Sequence, residues 1–220
     1  MSALPDLVLA AEAIVFDLDG VLVDSDASVV DAWTRWAIAR DLDPATVIEV
    51  CHGQPSRATV RAFVDPAHEA TALADIDRIE LELAGEAHAL PGAHALLASL
   101  PPGRWAVFTS GTRALASARL AACGIVPPPV FVTADDVVNG KPNPDGYLLA
   151  LARLDADPAR SLVVEDAPTG IAAARAAGVG TVIGVGPRAI GTSVDVVVGD
   201  LGAVGWDGDR LLVKGHARLG

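Results

Sequence analysis

The feature that most restricts the fold is an alternation of short apolar runs and helical patterns, which begins at Pro91-Gly92. The runs lie at 105–108, 130–132, 162–164, 180–185 and 195–198, and helical patterns lie at 94–100, 114–123, 145–154 and 170–177. The runs are brief and rich in β-branched residues, as buried strands are. Strands and helices that alternate at this length predict an α/β fold, a doubly wound parallel sheet with right-handed crossovers.

An earlier apolar run at 14–16 ends abruptly at Asp17, and a second carboxylate follows at Asp19, before Gly20. In an open α/β sheet, ligands bind in the loops beyond the carboxyl ends of the strands. Two carboxylates this close repel each other unless a cation shares them, and hard oxygen ligands suit Mg²⁺. The same residues also fit a solvated acidic turn, because Asp-Gly is a common turn signal.

Residues 25–88 show helical spacing throughout and no strand pattern. The pair Trp33 and Trp36 fits packing between these helices better than a ligand platform. A chain of 220 residues, 51% of them hydrophobic, is long enough for one α/β core and a small second unit. We therefore expect a core domain formed by residues 1–24 and 89–220, and a helical cap domain formed by residues 25–88. Residues 206–213 fit a hairpin on a sheet edge.

The formal net charge of −12 argues against a nucleic-acid partner or an anionic membrane surface. Any anionic substrate must then be attracted by local cations, and the only lysines are Lys141 and Lys214. Cys51 and Cys123 lie far apart and fit no metal pattern, so we expect reduced thiols. Without a signal-peptide pattern or a bilayer-length apolar run, we expect a cytoplasmic protein, a monomer with a dimer left open.

Polar residues stand where several predicted strands end. They are Asp17 and Asp19, Thr109 with Ser110 and Gly111, Lys141, and the pair Glu165 and Asp166. Because parallel strands end at one edge of a sheet, these residues can converge. Each also has an ordinary explanation: a helix N-cap for Thr109, a surface charge for Lys141 and helix-start acids for the pair.

In this order, the segments resemble the haloacid dehalogenase-like superfamily of aspartate-nucleophile phosphatases and mutases. The matching segments are Asp-x-Asp-Gly-Val-Leu-Val-Asp-Ser at 17–25, Thr-Ser-Gly at 109–111, Gly-Lys-Pro-Asn-Pro at 140–144 and Glu-Asp-Ala-Pro-Thr-Gly-Ile at 165–171. Each segment is weak evidence by itself, but four in order are strong, and the resemblance covers nearly the whole chain. It implies the superfamily's Rossmann-like core, with the cap inserted after the first strand.

For the acidic residues, the resemblance implies distinct roles. Asp17 would be the nucleophile that forms an aspartyl-phosphate, and Asp19 the general acid and then the base. Mg²⁺ would be held by Asp17, the backbone carbonyl of Asp19, and Asp166. Glu165 would orient these ligands rather than bind the metal.

For the remaining core residues, the resemblance implies phosphate binding. Thr109 would donate its hydroxyl to a phosphate oxygen, beside the backbone N–H groups of Ser110 and Gly111. Lys141 would pair with both Asp17 and the phosphate and so reduce the repulsion between two anions.

Within the superfamily, the chain looks most like the sugar-phosphate and polyol-phosphate phosphatases with a small helical cap. The expected substrate is therefore a small phosphorylated metabolite, and His52, Gln54 and Arg57 are the candidates in the cap for recognising its alcohol part. Such caps usually carry a basic residue directly after the Gly and an acid four positions later, where this chain has Gln54 and Ala58. The identity of the substrate is therefore left open.

Two alternatives remain at this point. A mutase of the β-phosphoglucomutase type would use the same Asp17 and Asp19 but return the phosphoryl group to a sugar. A non-catalytic protein with this fold would bind a ligand or partner instead, although no core catalytic position is replaced. A haloacid dehalogenase is disfavoured, because those enzymes need no metal and lack the acid at the position of Asp19.

Overall fold

The structure is a computed structural model that describes residues 5–51, 55–215 and 218–219. In chain order, the strands are β1 (Leu7–Ala10), β2 (Ile14–Phe16), β3 (Val23–Asp24), β4 (His88–Ala89), β5 (Trp105–Phe108), β6 (Phe131–Val132), β7 (Leu162–Glu165), β8 (Thr181–Val185), β9 (Val196–Val198), β10 (Val204–Trp206) and β11 (Arg210–Val213). The α-helices are α1 (Asp26–Ile38), α2 (Pro44–Cys51), α3 (Ser56–Phe63), α4 (Glu69–Leu83), α5 (Ala93–Ser99), α6 (Arg113–Ala122), α7 (Asp145–Arg153) and α8 (Pro168–Ala176).

The central element is a six-stranded sheet with the order β6-β5-β2-β7-β8-β9, and every neighbouring pair in it is parallel. Successive side chains of β2 point to opposite faces: Ile14 and Phe16 belong to one apolar cluster and Val15 to another. Both faces of β2 are therefore buried, which is why its sequence is a continuous apolar run rather than an alternating one.

Helices cover both faces of this sheet. Leu96 of α5 and Leu120 of α6 pack in the cluster with Phe16, whereas Leu151 of α7 and Ile171 of α8 pack in the other. Such a three-layer arrangement confirms the predicted doubly wound α/β fold.

Helices α1 to α4 pack against one another around an apolar cluster of their own. Trp33 and Trp36 of α1 are buried in it, with their rings edge to face at 5.2 Å. The indole N–H of Trp36 donates to the carbonyl of Ala72 in α4 at 2.8 Å. The tryptophan pair thus packs within the helical segment, as its spacing predicts.

Strands β3 and β4 form a two-stranded antiparallel ribbon in which Val23 pairs with Ala89 and Asp24 with His88. The ribbon stands where the chain leaves the sheet for α1 and where it returns after α4. The two connections are therefore held side by side.

The hairpin expected at 206–213 is formed by β10 and β11, with β10 at a sheet edge. The hairpin belongs to a separate three-stranded antiparallel sheet, in which β11 also pairs with β1. Leu7 and Leu9 of β1 pack against the apolar cluster that contains Ile14 and Phe16, so one face of the small sheet is buried.

Two further features bear on the sequence-based expectations. Cys51 and Cys123 are both buried free thiols. Within the described ranges, no helix combines the length and apolar character that crossing a membrane requires.

Candidate active site

Four loops at the carboxyl edge of the sheet line a single cleft. The side chains that these loops bring together include Asp17 and Asp19 after β2, Thr109 to Gly111 after β5, Lys141 in the loop after β6, and Glu165 and Asp166 at the end of β7. The convergence predicted from parallel strand order is therefore present.

Asp17 and Lys141 form a buried ion pair at the base of the cleft, with 2.5 Å between Nζ and Oδ1. Lys141 Nζ also lies 2.6 Å from Glu165 Oε1 and 5.0 Å from the ring centre of Phe108. Burial raises the pKa of Asp17 well above its ordinary value, although Lys141 acts in the opposite direction. Burial alone would lower the pKa of Lys141, but Asp17 and Glu165 together raise it. Lys141 is therefore a fixed cation beside Asp17 and not a surface charge.

Glu165 is held by four donors and is fully buried. Its Oε1 accepts from Lys141 and, at 2.8 Å, from the hydroxyl of Tyr147, while its Oε2 accepts from the backbone N–H groups of Asp166 and Ala167 at 2.9 and 3.0 Å. A Cβ at Gly170 would lie only 1.6 Å from Oε1, so a glycine is needed there. With its acceptor positions engaged in this way, Glu165 is suited to position its neighbours.

The donor set at this point fits a divalent cation. Asp17, Glu165 and Asp166 are buried, and each has a carboxylate oxygen within 4.8 Å of the others. Burial, followed by the charge of Glu165, raises the pKa of Asp166 to about 6. Three carboxylates face the cations of Lys141 and Arg188, which leaves an excess of negative charge that a divalent ion would offset.

Gly20 adds a geometric reason for the Asp-Gly turn. Its φ is +81°, which favours glycine, and a Cβ at this position would lie 2.2 Å from Asp166 Oδ2. The turn after β2 therefore brings its backbone against the carboxylate at the end of β7.

Sequence reasoning missed Arg188. Its Nη2 lies 2.6 Å from Asp166 Oδ2, and its Nη1 lies 3.1 Å from Asp26 Oδ2, at the start of α1. One guanidinium thus links the core carboxylate to the helical segment. The available signal was its position, since it follows Gly186-Pro187 just beyond the carboxyl end of β8.

Asp19 points to a different set of partners. Its Oδ1 accepts from the hydroxyl of Ser25 at 2.7 Å and from Arg119 Nη1 at 3.0 Å. Its carboxylate is not a member of the acidic group around Asp17, so only its backbone carbonyl remains as the predicted metal ligand. Asp19 nevertheless lines the same cleft as Asp17.

Arg119 and Glu80, also missed, connect the two parts of the molecule. Arg119 lies on α6 of the core and Glu80 on α4, both are buried, and their charged groups are 3.6 Å apart. Burial raises the pKa of Glu80 to about 7, although Arg119 acts in the opposite direction. The sequence contained a signal for Glu80, because it lies on the buried face of α4 with Ile76 and Leu83.

The loop after β5 presents the predicted phosphate ligands. Thr109 is buried, and its hydroxyl accepts from the backbone N–H of Gly111 at 3.1 Å. The cap of α6 is instead Thr112, whose hydroxyl accepts from the N–H of Leu115 at 3.3 Å. Thr109 is therefore not a helix cap, and with Ser110 and Gly111 it lines the cleft.

Three residues are predicted to recognise the alcohol part of the substrate: His52, Gln54 and Arg57. His52 and Gln54 lie outside the described residues. Arg57 borders an adjoining pocket, but its side chain is 61% exposed and its guanidinium lies 4.0 Å from Glu69. Its predicted role in recognising the alcohol remains a prediction.

Comparisons with known proteins agree with this geometry. A family model described as haloacid dehalogenase-like hydrolase matches residues 11–178. Hexitol phosphatase A of Escherichia coli is 42% identical over 175 residues, which span 77% of this chain and 81% of that protein. Glycerol-1-phosphate phosphohydrolase 2 of Saccharomyces cerevisiae is 37% identical over 188 residues, which span 78% and 74%.

Among solved structures, a hydrolase from Pseudomonas syringae matches with a TM-score of 0.75 and 27% identity. The match covers 87% of this chain and 94% of that one. The region matched by the family model includes all four segments that line the cleft.

Proposed function

The chain belongs to the haloacid dehalogenase-like hydrolases, and from this premise we propose that it is a Mg²⁺-dependent phosphatase of small sugar or polyol phosphates. It is a phosphoric monoester hydrolase, the class to which its named relatives belong. The observation that carries the proposal is the buried Asp17–Lys141 pair, which opens on a cleft shared with Thr109, Asp19 and Asp166.

Asp17 is the proposed nucleophile. Its carboxylate oxygen attacks phosphorus, the bond from phosphorus to the alcohol oxygen breaks, and an aspartyl-phosphate forms. Lys141 offsets the negative charge of Asp17 during the approach of the phosphate, and Thr109 with the Ser110 and Gly111 N–H groups holds the phosphate oxygens. Positioning and charge neutralisation of this kind supply most of the catalysis of phosphoryl transfer.

Asp19 is the proposed general acid and base. It gives its proton to the departing alcohol oxygen and then takes a proton from the water that attacks the aspartyl-phosphate. That second attack breaks the bond between Asp17 and phosphorus and releases inorganic phosphate. Ser25 and Arg119 both bind Oδ1 of Asp19, which fixes the orientation of the carboxylate.

Asp17, Asp166 and the backbone carbonyl of Asp19 would hold the Mg²⁺, and Glu165 would orient them. When bound, the ion would neutralise charge on the phosphate and on the carboxylates. Activity should disappear after treatment with EDTA and return with Mg²⁺. Full activity after thorough removal of metal would contradict this part of the proposal.

We propose that residues 25–88 form a cap domain over a core of residues 1–24 and 89–220. Trp33, Cys51 and Glu80 from the helical segment line the same cleft as Asp17. A cap in this place would exclude bulk water from the phosphoryl transfer and admit a small alcohol. The free thiols of Cys51 and Cys123 support the proposal of a cytoplasmic location, since reducing compartments preserve them.

The test is a phosphate-release assay on purified protein with Mg²⁺, over a panel of phosphorylated sugars, polyols and nucleotides. We expect release from sugar or polyol phosphates, and none with the Asp17→Asn variant. Interconversion of sugar phosphates without net release would favour the mutase. Failure to act on every ester, including an aryl phosphate, would favour a non-catalytic binding protein.

A further inference from the structure

The cleft continues beyond the phosphate loop into a pocket between the helical segment and the core. Ser56 and Glu80 line it from the helical segment, and Thr112 and Asp135 line it from the core. Residues 109–111 border both the pocket and the catalytic cleft. A phosphate ester bound beside Asp17 would therefore extend its alcohol part into this pocket.

The charged side chains around the pocket are mostly acidic. Asp77, Glu80 and Asp135 contribute carboxylates, and Arg57 is the one cation among the described residues that line it. The guanidinium of Arg57 is largely exposed and lies 4.0 Å from Glu69, so its charge is partly offset. Burial and the charge of Asp135 both raise the pKa of Asp77, as expected where acids outnumber bases. A second anionic group on the substrate would be repelled here.

Glu80 and Arg119 also have unused hydrogen-bonding capacity. The side chain of Glu80 is 6% exposed; its Oε2 is 3.3 Å from the hydroxyl of Ser56, and its Oε1 is 3.6 Å from Arg119 Nη2, too far for a good hydrogen bond. Arg119 is 4% exposed, and its Nε has no hydrogen-bond partner within the described part of the chain. Hydroxyl groups can donate to such a carboxylate and accept from such a guanidinium.

We propose that Glu80 is a specificity-determining residue, which accepts hydrogen bonds from hydroxyls of the leaving alcohol and disfavours alcohols that carry a second negative charge. This inference rests on the proposed function and excludes from its substrates those phosphate esters whose alcohol part carries a second anionic group. Arg119 pairs with both Glu80 and Asp19. The residue that recognises the alcohol therefore lies beside Asp19, the residue proposed to protonate it.

The test compares kcat/KM at a pH well above 7, where the Glu80 carboxylate is ionised. It uses two matched pairs of substrates, in which a carboxylate replaces the hydroxymethyl group at the end of the chain opposite the phosphate. The pairs are sorbitol phosphate with phosphogluconate, and glycerol phosphate with phosphoglycerate. p-Nitrophenyl phosphate, which has neither hydroxyls nor a second charge, is the reference. Glu80→Gln removes the charge at nearly constant shape, and Glu82→Gln is the matched control, since Glu82 is exposed on the same helix in an ion pair with Arg78.

We expect the wild-type enzyme to prefer the neutral member of a pair by at least about 10-fold. Glu80→Gln should reduce that preference by at least about 5-fold, and kcat/KM for p-nitrophenyl phosphate measures any change in the chemical step that is common to all substrates. Glu82→Gln should leave every ratio unchanged. Circular dichroism of both variants establishes that they are folded.

Two results would overturn the inference and leave the proposed function intact. The first is that the wild-type enzyme hydrolyses the carboxylated esters as fast as the neutral ones, a result that can be obtained without any variant. The second is a folded Glu80→Gln variant that keeps the wild-type preference. Absence of hydrolysis of every ester by the wild-type protein would instead refute the proposed function itself.

Discussion

The two halves of the cleft differ in how tightly their charged groups are held. Around Asp17, Lys141 Nζ lies 2.5 and 2.6 Å from its two carboxylates, and the Tyr147 hydroxyl lies 2.8 Å from Glu165. Around Glu80, the corresponding distances are 3.3 and 3.6 Å. The phosphoryl group is the same in every substrate, whereas the alcohol differs, so the tight half suits the common chemistry and the looser half suits recognition.

The two halves also differ in the origin of their residues. The half around Asp17 belongs to the core alone: Asp17 and Glu165 lie at the ends of β2 and β7, Lys141 in the loop after β6, and Tyr147 on α7. The other half joins α4 of the helical segment to α6 of the core through Glu80 and Arg119. A movement of the helical segment would change the distance between Glu80 and Arg119, whereas in the first half it would affect only the contact of Arg188 with Asp26.

Substitution at the tight half should have the largest effect. Asp17→Asn removes the attacking carboxylate, and we expect turnover to fall by at least about 10⁴-fold. Steady-state phosphate release measures the loss. Asp31→Asn, at an exposed ion pair with Arg35 on α1, is the control and should retain activity. Near wild-type rates for Asp17→Asn would show that Asp17 is not the nucleophile.

Loss of the general acid should have the next largest effect. Asp19→Ala is expected to reduce kcat for a polyol phosphate by about 10²–10⁴-fold, because the poor alcohol leaving group departs without a proton donor. A measured reduction below about 3-fold would be too small for general acid–base catalysis.

A smaller effect on activity is expected from substitution of Arg119, which joins the two halves of the cleft. Arg119→Lys keeps the charge, but a lysine ammonium cannot pair with Asp19 and Glu80 in the same fork geometry, so kcat for a polyol phosphate should fall about 10-fold. Hydrolysis of p-nitrophenyl phosphate, whose leaving group needs little protonation, should fall less. Equal losses on both substrates would indicate a structural role for Arg119 rather than the positioning of Asp19.

The smallest expected effect is the contribution of Glu80 to the pH dependence of the free energy of unfolding. The pKa of Glu80 is raised in the folded protein from 4.5 to about 7. The unfolded chain therefore releases the proton at lower pH, and the stability that Glu80 contributes at acid pH is lost as the pH rises through this window. Glu80→Gln does not titrate. Relative to that variant, the wild-type free energy of unfolding should fall by about 1–3 kcal/mol from below pH 4.5 to above pH 7.

Chemical denaturation of both proteins at several pH values measures this difference directly. A difference in unfolding free energy that stays constant with pH, or that changes in favour of the wild-type protein, would show that Glu80 remains charged throughout the range. In that case the ion pair with Arg119 would outweigh burial.

The residues around Asp17 could be predicted from the sequence because each stands next to a strand end or in a loop that follows one, and parallel order brings strand ends together. Arg119 could not be placed in the same way, since its partners depend on how α4 lies against α6. Glu80 gave only a weak signal, an acid on the buried face of α4. The pairing of β1 with β11 was also missed, because it joins strands from opposite ends of the chain.

If Asp17 attacks the phosphoryl group, a covalent intermediate on its carboxylate can be trapped during turnover. The enzyme is mixed with Mg²⁺ and a sugar or polyol phosphate that it hydrolyses, quenched in acid during turnover, digested and analysed by mass spectrometry. We expect a hydroxylamine-sensitive phosphoryl group on Asp17, which is absent from Asp17→Asn. A phosphoryl group on another residue, or active enzyme that never carries one, would show that Asp17 is not the nucleophile.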